Sequence, residues 1–447
     1  MGRLFGTDGI RGLANQEPIT PETALRLGRA AVEYCTKKGE APVIVIARDP
    51  RSTGEMLEHG ILAGVISAGG TALVSGVIPT PGLAFLARET EAALGIMISA
   101  SHNPHNYNGF KVFSGEGFKL SEREEYEFEE ILLSPGDAAP PGLPGSARTI
   151  PDPEARYRAF LRRRAGRGVS LRGMKAVLDC ANGAASRVAP ALLRELEVDT
   201  DTLFDKPDGR NINSGCGSEH TENLSGRVRE AGAQVGLAFD GDADRLVAVD
   251  ERGRRLSGDQ LLTIFAKELK EQGKLVNNCV VSTVMSNIGL KAALSDMGIR
   301  WVSAPVGDRN VLAAMRENGA VLGGEDSGHM IFLDRHTTGD GLLSALMLLE
   351  AMKNFDRPLS ELAGLMQGFP QALVNVPVRE KPELEGIPDV KRVIEQVEGK
   401  LGERGRVLVR YSGTEPLCRV MVEGGSREEV DAAARKIAEA VKKALDR

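Results

Sequence analysis

Three features that the sequence lacks narrow the class of protein. Its five cysteines are scattered over 447 residues and form no Cys-x-x-Cys pair, so neither a disulfide framework nor a zinc knuckle is indicated. It has no sustained run of Lys or Arg, and its net charge of -6 argues against general nucleic-acid binding. We therefore expect a reducing, cytoplasmic location and no nucleic-acid partner.

Long hydrophobic runs are also missing. Residues 342–352 form the most apolar stretch, which is too short and too interrupted to span a bilayer, and the first residues lack the apolar core of a signal peptide. We therefore expect no membrane partner. The length predicts about three or four domains, at roughly 150 residues each.

Strand and helix patterns alternate along the chain. Residues 43–47, VIVIA, form a β-branched run typical of a strand buried on both faces, and a helix pattern follows at 56–68. The alternation continues through 71–75 and the strand that ends at Ser99, which predicts α/β domains. Residues 134–153 are rich in Pro and Gly and are expected to end the first domain.

Ser101 lies where an apolar strand enters a polar loop, in the segment GIMISASHNP at 95–104. Ligands bind at the carboxyl ends of strands in α/β sheets, and a hydroxyl there can act as a nucleophile. The alternative is a polar strand end that caps the next helix. Lys111 is close enough in sequence to share this loop region. Arg11, in GTDGIRG, could contact an anion or belong to an ordinary β-turn.

Asp240, Asp242 and Asp244 follow a strand pattern at 235–239. Carboxylates this close repel one another unless a cation holds them, and hard oxygen ligands suit Mg²⁺ or Ca²⁺ better than zinc. An EF-hand is excluded because Arg245 stands where its loop needs glycine, and because both flanks are strand-like. A solvated acidic turn is the alternative; we expect a metal site.

A glycine-rich loop carries Glu325, Ser327 and His329 at alternate positions. They provide an acceptor, a donor and a titratable donor, a set that can hydrogen-bond the hydroxyl groups of a sugar. The alternative is a glycine-rich hairpin with a satisfied histidine. The pattern does not decide between the two.

A last loop, residues 411–416, begins the return of the chain in the predicted terminal domain. It offers the hydroxyls of Ser412 and Thr414 and backbone N-H groups freed by glycine, between Arg410 and Arg419. These groups could form a phosphate cradle, with a plain hairpin turn as the alternative.

In their order along the chain, these four loops resemble the α-D-phosphohexomutase superfamily. The segments FGTDGIRG at 5–12, ISASHNP at 98–104 and SGTEPL at 412–417 are most similar to the bacterial phosphoglucosamine mutase family. That family interconverts glucosamine 6-phosphate and glucosamine 1-phosphate on the way to UDP-N-acetylglucosamine. Asp326 and Tyr411 depart from the family pattern, which commonly has Gln and Lys at these positions.

The resemblance implies four domains around a central cleft. Three are related α/β mixed-sheet domains, expected at 1–150, 151–252 and 253–368, and the fourth is a smaller α+β domain at 369–447. It also implies that Ser101 is phosphorylated and that one Mg²⁺ per chain is bound by Asp240, Asp242, Asp244 and the phosphoryl group.

The resemblance further implies a reaction through glucosamine 1,6-bisphosphate, with glucosamine or glucose 1,6-bisphosphate as priming activator. Arg11, His102 and Lys111 are expected as catalytic side chains beside Ser101. The substrate-binding residues are expected to be Arg245, Gly307, Asp308, Glu325, Ser327, His329, Arg410, Ser412, Gly413, Thr414 and Arg419. A phosphorylated amino sugar is the expected substrate and a homodimer the expected assembly. The alternatives are a phosphoglucomutase or phosphomannomutase, or a non-catalytic sugar-phosphate binding protein.

Overall fold

The computed structural model describes residues 4–6, 8–134, 142–165, 169–402, 405–411 and 416–445. It divides into two compact units. The first comprises Met1–Met285 and Ile299–Leu365, and the second comprises Ser286–Gly298 and Met366–Arg447. Three mixed α/β sheets and one small antiparallel sheet confirm the predicted fold class. The domain boundaries given above remain predictions.

The first sheet is mixed and has six strands. They are β1 (Ile10–Leu13), β2 (Val43–Arg48), β3 (Thr71–Val77), β4 (Leu94–Ile98), β5 (Tyr107–Ser114) and β6 (Ser146–Thr149), and the helices of this region are α1 (Pro21–Lys37), α2 (Gly54–Ser67), α3 (Thr80–Glu89) and α4 (Glu122–Leu133). The spatial order is β1-β5-β4-β2-β3-β6, with β5 antiparallel to β4 and β1 antiparallel to β5. The parallel strands β2 and β4 lie side by side at the centre.

Local signals explain several of these elements. The Thr20 side chain accepts the N-H of Thr23 at the start of α1. Ser121 forms a capping box with Glu124 at the start of α4. The boundary stretch 134–153 contains β6, which its composition does not indicate. All four β6 residues are exposed, because an edge strand is held by backbone hydrogen bonds to β3 and needs no apolar side chain.

The second sheet has four strands in the order β10-β9-β7-β8, with β10 antiparallel to β9. Its elements are α5 (Pro153–Arg164), β7 (Lys175–Asp179), α6 (Ala185–Glu195), β8 (Asp199–Leu203), α7 (Glu222–Ala231), β9 (Val235–Phe239) and β10 (Leu246–Asp250), with a 3₁₀ turn at Gly217–Glu219. Every residue of β9 is buried, so this strand carries the acidic segment that follows it into the interior.

The third sheet has the order β12-β11-β13-β14, with β14 antiparallel to β13. The elements of this region are α8 (Gly258–Glu271), a 3₁₀ turn at Val276–Asn278, β11 (Cys279–Thr283), α9 (Ile288–Asp296, in the second unit), β12 (Arg300–Ala304), α10 (Asp308–Asn318), β13 (Leu322–Gly324), β14 (Met330–Phe332), α11 (Gly341–Phe355), α12 (Leu359–Leu362) and a 3₁₀ turn at Ala363–Leu365. Helix α11 is almost wholly buried, as its apolar sequence predicts.

The second unit is built on a three-stranded antiparallel sheet in the order β15-β17-β16. Besides α9, its elements are β15 (Gln371–Pro377), a 3₁₀ turn at Leu384–Gly386, α13 (Pro388–Leu401), β16 (Arg406–Tyr411), β17 (Leu417–Glu423) and α14 (Arg427–Leu445). All five cysteines are buried and free. Among the described residues, no helix has the length and apolar character that crossing a membrane requires.

Candidate active site

Ser101 lies in the tight loop after β4 and is fully buried. Its φ of 53° is in the left-handed region, which residues with a side chain seldom adopt. Its Oγ donates a hydrogen bond to Asp240 Oδ2 at 2.6 Å, and its N-H donates to Ser99 Oγ at 3.0 Å. The structure therefore brings the serine loop and the acidic loop after β9 together.

Asp240, Asp242 and Asp244 are all buried, and one oxygen from each can be chosen so that all lie within 4.8 Å of one another. Burial and the repulsion of Asp244 and Asp242 hold the pKa of Asp240 well above its usual range. The Oδ1 atoms of Asp242 and Asp244 are buried and have no hydrogen-bond partner. Unsatisfied carboxylate oxygens in this arrangement suit a hard divalent cation.

Lys111, in β5, contacts the acidic cluster. Its Nζ lies 2.8 Å from Asp242 Oδ2, 3.2 Å from Asp244 Oδ2 and 3.2 Å from Asp8 Oδ2. Burial alone would lower the pKa of Lys111, but these carboxylates outweigh it and hold the pKa well above its ordinary value. Lys111 is therefore a fixed cation beside the triad, and it leaves the Oδ1 oxygens unused.

Arg11, in β1, pairs with Asp8, and Lys119 pairs with both Asp8 and Asp308. Burial would raise the pKa of Asp8, but Lys111, Lys119 and Arg11 together hold it well below its usual range. Arg11 thus contributes to the charge around Lys111, and it pairs with the carboxylate of Asp8.

His102 follows Ser101, and its Nδ1 lies 3.4 Å from Ser101 Oγ. Burial, and then the charges of Arg245 and Arg11, lower the pKa of His102 to about 4, so the imidazole is neutral at neutral pH. The backbone N-H of Arg245 donates to Asp240 Oδ1 at 3.2 Å, and its Nε lies 3.9 Å from Asp244 Oδ1. Arg245 therefore contacts two carboxylates of the triad, and His102 contacts Ser101.

The loop between β13 and β14 carries Glu325, Ser327 and His329. Glu325 Oε1 accepts the N-H of Gly307 at 3.0 Å, so this loop is joined to the start of α10. The buried hydroxyl of Ser327 has no hydrogen-bond partner. His329 places Nδ1 3.7 Å from Asp244 Oδ2 and Nε2 3.7 Å from Asp308 Oδ2, which brings the loop next to the triad.

The two departures from the family pattern take structural positions. Asp326 Oδ1 accepts the N-H of Asp259 at 3.3 Å, and its carbonyl oxygen accepts that of Gly258, so the residue contacts the start of α8. The Tyr411 side chain packs against the core of the second unit, and its hydroxyl is buried without a hydrogen-bond partner.

In the second unit, Arg410 in β16 is directly opposite Arg419 in β17. Burial, and then the charge of Arg419, lower the pKa of Arg410. The remaining predicted members of this loop, Ser412, Gly413 and Thr414, lie outside the described residues.

Four buried or half-buried side chains at the site were not predicted from the sequence. Thr80 Oγ1 donates to Asp242 Oδ2 at 2.5 Å. Arg51 and Asn213 both donate to the carbonyl oxygen of Ser101 at 2.9 Å. Lys119 forms the pairs described above. Arg51 has a sequence signal, since it ends the charged segment RDPR, which begins at the last residue of the buried strand β2. Asn213 has none.

Consecutive segments match four parts of one known family. Residues 2–137 match "Phosphoglucomutase/phosphomannomutase, alpha/beta/alpha domain I", 158–253 match domain II, 257–369 match domain III and 373–440 match the C-terminal domain. A solved structure of a phosphoglucomutase/phosphomannomutase family protein from Burkholderia thailandensis superimposes with a TM-score of 0.82 at 25% identity, over 99% of this chain and 97% of that chain.

Two curated relatives indicate which members of this family the chain resembles over its full length. The phosphoglucosamine mutase of Syntrophus aciditrophicus is 51% identical over 448 residues, covering 100% of both chains. That of Syntrophobacter fumaroxidans is also 51% identical over 448 residues, with the same coverage.

The fold, the buried serine beside three carboxylates and the four domain matches define a member of the α-D-phosphohexomutase superfamily, a group of mutase enzymes. Two phosphoglucosamine mutases are about half identical to this chain over its full length, and this identity decides the branch of the superfamily. The chain belongs to the phosphoglucosamine mutase family, as the sequence resemblance indicates, and the phosphoglucomutase or phosphomannomutase alternative is not favoured.

Proposed function

We propose that this chain interconverts glucosamine 6-phosphate and glucosamine 1-phosphate through a phosphorylated Ser101 and a glucosamine 1,6-bisphosphate intermediate. The observation that carries the proposal is the 2.6 Å contact between Ser101 Oγ and Asp240 Oδ2, at the edge of a buried carboxylate triad. Membership of the phosphoglucosamine mutase family supplies the substrate.

Magnesium fits the residues present. A phosphoserine carries a charge of about -1.5 to -2, and it would add to three buried carboxylates. Asp240, Asp242 and Asp244 would hold Mg²⁺, with Asp242 Oδ1 and Asp244 Oδ1 free of hydrogen bonds for this purpose. When bound, the ion would offset this charge and polarise the phosphoryl oxygens.

The proposed step moves one phosphoryl group. The free hydroxyl oxygen of the substrate attacks the phosphorus, the bond from phosphorus to Ser101 Oγ breaks, and the hydroxyl proton is passed on. The bisphosphate turns around and returns its other phosphoryl group to Ser101. Because phosphoryl transfer needs mainly alignment and charge stabilisation, Lys111 and Arg11 serve as fixed cations, and the neutral His102 serves as a proton relay.

We propose that the substrate is held along its length by the remaining site residues. Glu325, Ser327 and His329 hold sugar hydroxyls, and the unpartnered hydroxyl of Ser327 supports this. Arg245, Gly307 and Asp308 are proposed as further substrate-binding residues. The non-reacting phosphate is proposed to bind at Arg410, Ser412, Gly413, Thr414 and Arg419. Arg410 and Arg419 lie directly opposite each other on neighbouring strands, and two guanidinium groups at one place support the binding of a phosphate there.

The experiment that tests the function compares kcat/KM on the phosphates of glucosamine, glucose and mannose. We expect the highest value on glucosamine phosphates. A higher value on glucose or mannose phosphates would favour the alternative mutases. No turnover of any of the three, together with no phosphate on the purified protein after bisphosphate treatment, would favour a non-catalytic binding protein.

Three finer points complete the proposal. We propose glucose or glucosamine 1,6-bisphosphate as the activator that first phosphorylates Ser101, because a dephosphorylated enzyme has no other phosphoryl donor in this reaction.

We propose a homodimer, which family resemblance alone supports and light scattering of the purified protein would test. We propose a cytoplasmic location, supported by five free, buried thiols.

A further inference from the structure

Two side chains that the proposed mechanism does not use grip the backbone of the serine loop. Arg51 Nη2 donates to Ser101 O at 2.9 Å and to Asn103 O at 2.8 Å. Asn213 Nδ2 donates to the same two oxygens, at 2.9 Å and 3.0 Å. Each NH₂ group has two hydrogens and each carbonyl oxygen has two lone pairs, so the four bonds satisfy every donor and acceptor involved.

We propose that Arg51 and Asn213 are positioning residues that hold Ser101 in the backbone conformation from which it accepts and releases the phosphoryl group. The catalytic part of this inference rests on the proposed function. A residue with a side chain is strained at a φ of 53° and keeps that conformation only when its surroundings enforce it. The carbonyl oxygen of the strained residue is the atom that both donors bind.

Arg51 is a rigid anchor for the loop. Its side chain is 0% exposed and pairs with Asp49 through Nε at 2.9 Å. Asp49 also accepts the hydroxyl of Ser99 at 2.6 Å, and Arg51 Nη1 donates to Tyr107 O at 3.1 Å. The guanidinium therefore joins the end of β2 to both sides of the serine loop.

Asn213 brings a second anchor from the loop region of the second sheet. Its own φ is 59°, a conformation that Asn tolerates better than most residues, and its N-H donates to Ala181 O at 2.9 Å. Gly241 leaves the space for this contact, because a Cβ there would lie 2.5 Å from Ser101 O and 2.9 Å from Asn213 Nδ2. The acidic loop after β9, the serine loop and Asn213 are thus packed at one point.

The grip is on carbonyl oxygens, so it does not depend on whether Ser101 Oγ carries a phosphoryl group. The loop can keep one shape through both halves of the reaction, while the doubly charged group comes and goes. Loss of the grip should therefore slow phosphoryl transfer and leave substrate affinity unchanged, since neither side chain is among the proposed sugar-binding residues.

Two variants of Asn213 test the inference with little change in backbone preference. Asn213→Asp keeps the size of the side chain but turns an oxygen towards the two carbonyl oxygens, and Asn213→Gly tolerates positive φ but has no side chain. Ser214→Ala, at the exposed next residue, is the matched control. Arg51→Lys is a second probe that keeps the charge beside Asp49 but loses the forked donors.

For both Asn213 variants we expect kcat to fall by about tenfold to a hundredfold, with KM within about twofold of the wild type. We also expect hydrogen exchange of residues 99–104 to become at least about tenfold faster, with the melting temperature matching that of the control. Unchanged kcat in an active enzyme, or unchanged exchange in this loop, would overturn the inference.

Loop exchange requires no catalysis, which separates this inference from the proposed function. If the wild type does not act on glucosamine phosphates but the Asn213 variants still loosen the loop, the proposed function fails and the positioning of the loop stands. If the wild type is an active mutase and the variants change neither kcat nor exchange, the positioning role fails alone.

Discussion

At the scale of single residues, positively and negatively charged side chains alternate around Lys111. The ammonium group touches Asp8, Asp242 and Asp244, and Lys119 on the other side of Asp8 reaches Asp308. Buried charges of this kind are tolerated only when each is paired. The Oδ1 oxygens of Asp242 and Asp244 are left without a hydrogen bond, and a metal ion fits there.

Thr80 supports Asp242, one of the proposed metal ligands. Its hydroxyl donates to Asp242 Oδ2, and it is fully buried at the first turn of α3. Thr80→Val keeps the shape and removes this hydrogen bond, so the orientation of Asp242 should loosen. Such partners of metal ligands are typically worth about tenfold to a hundredfold in metal affinity. We expect the Mg²⁺ concentration for half-maximal activity to rise by that factor, as measured by titration and by calorimetry.

The control for this variant is Thr90→Val, at the other end of the same helix, where the hydroxyl donates to Leu86 O at 2.7 Å. It should leave the Mg²⁺ requirement unchanged. A Thr80→Val enzyme with the Mg²⁺ affinity of the wild type would show that Asp242 needs no such support, or that it is not a ligand.

The sequence indicates Ser101 and the aspartates because each directly follows a strand with a clear apolar pattern. It does not indicate Asn213, which lies in a loop of the second sheet's region and contacts the serine loop only in the folded protein. No local pattern encodes a contact between residues 112 positions apart. Thr80 is similar: its sequence context, Thr before Pro, is typical of a helix start, and its bond to Asp242 is a matter of tertiary structure.

At the level of elements, two buried titrating groups lie close together just before α11. Asp340 accepts the N-H of Leu343 at 2.9 Å and the hydroxyl of Tyr157 at 2.8 Å, and burial raises its pKa to about 7. His336 bonds Pro81 O through Nε2, and burial lowers its pKa to about 4. Nε2 of His336 lies 3.9 Å from Asp340 Oδ2.

These two shifts oppose each other. Between about pH 4 and 6.5, the folded Asp340 carries a proton that the unfolded chain has lost, so its contribution to stability falls as pH rises. Over the same range the unfolded His336 carries a proton that the folded protein lacks, so its contribution falls as pH is lowered. The pair together should give almost no pH dependence in this range.

Single substitutions should expose each half. Asp340→Asn should make the melting temperature fall more steeply than in the wild type as pH is lowered from about 6.5 to 4. His336→Gln should make it fall as pH is raised from about 4 to 7. Over this pH range, the free energy of unfolding of each variant should change by an amount on the order of 3 kcal/mol. Thermal unfolding at several pH values measures this, and parallel curves for the three proteins would contradict it.

The helices and central strands were predictable because their start signals are local, as at Thr20, Ser121 and Ser257, where the side chains cap the helices that follow. Strand β6 was not, because its residues are polar and exposed, and only pairing with β3 makes them a strand. A composition rich in Pro and Gly gives no information about such pairing.

At the scale of the whole molecule, a short segment belongs to a unit that is distant in sequence. Residues 286–298, with α9, group with the C-terminal residues. Glu423 makes this connection: it is fully buried, accepts the N-H of Ile288 at 3.3 Å, and pairs with Arg406 at 2.9 Å. The four-domain organisation could be inferred from resemblance, but the grouping of α9 with the C-terminal residues could not.

Removing the charge of Glu423 should loosen that segment selectively. Glu423→Gln leaves Arg406 without its carboxylate partner, at a cost of about 2 kcal/mol. We expect hydrogen exchange at residues 286–298 to become roughly thirtyfold faster, with residues 235–250 of the first unit unaffected. Glu428→Gln, at an exposed position of α14, is the control. Equal acceleration in both units, or none at 286–298, would contradict this account.

The most direct test of the account follows one phosphoryl group. Dephosphorylated protein is incubated with isotope-labelled glucose 1,6-bisphosphate and Mg²⁺, the labelled peptide is located by mass spectrometry, and glucosamine 6-phosphate is then added. We predict that the label appears on Ser101 and leaves for the amino sugar, and that Ser101→Ala takes up none. Turnover of glucosamine 6-phosphate by Ser101→Ala, or label on another residue of an active enzyme, would contradict the account.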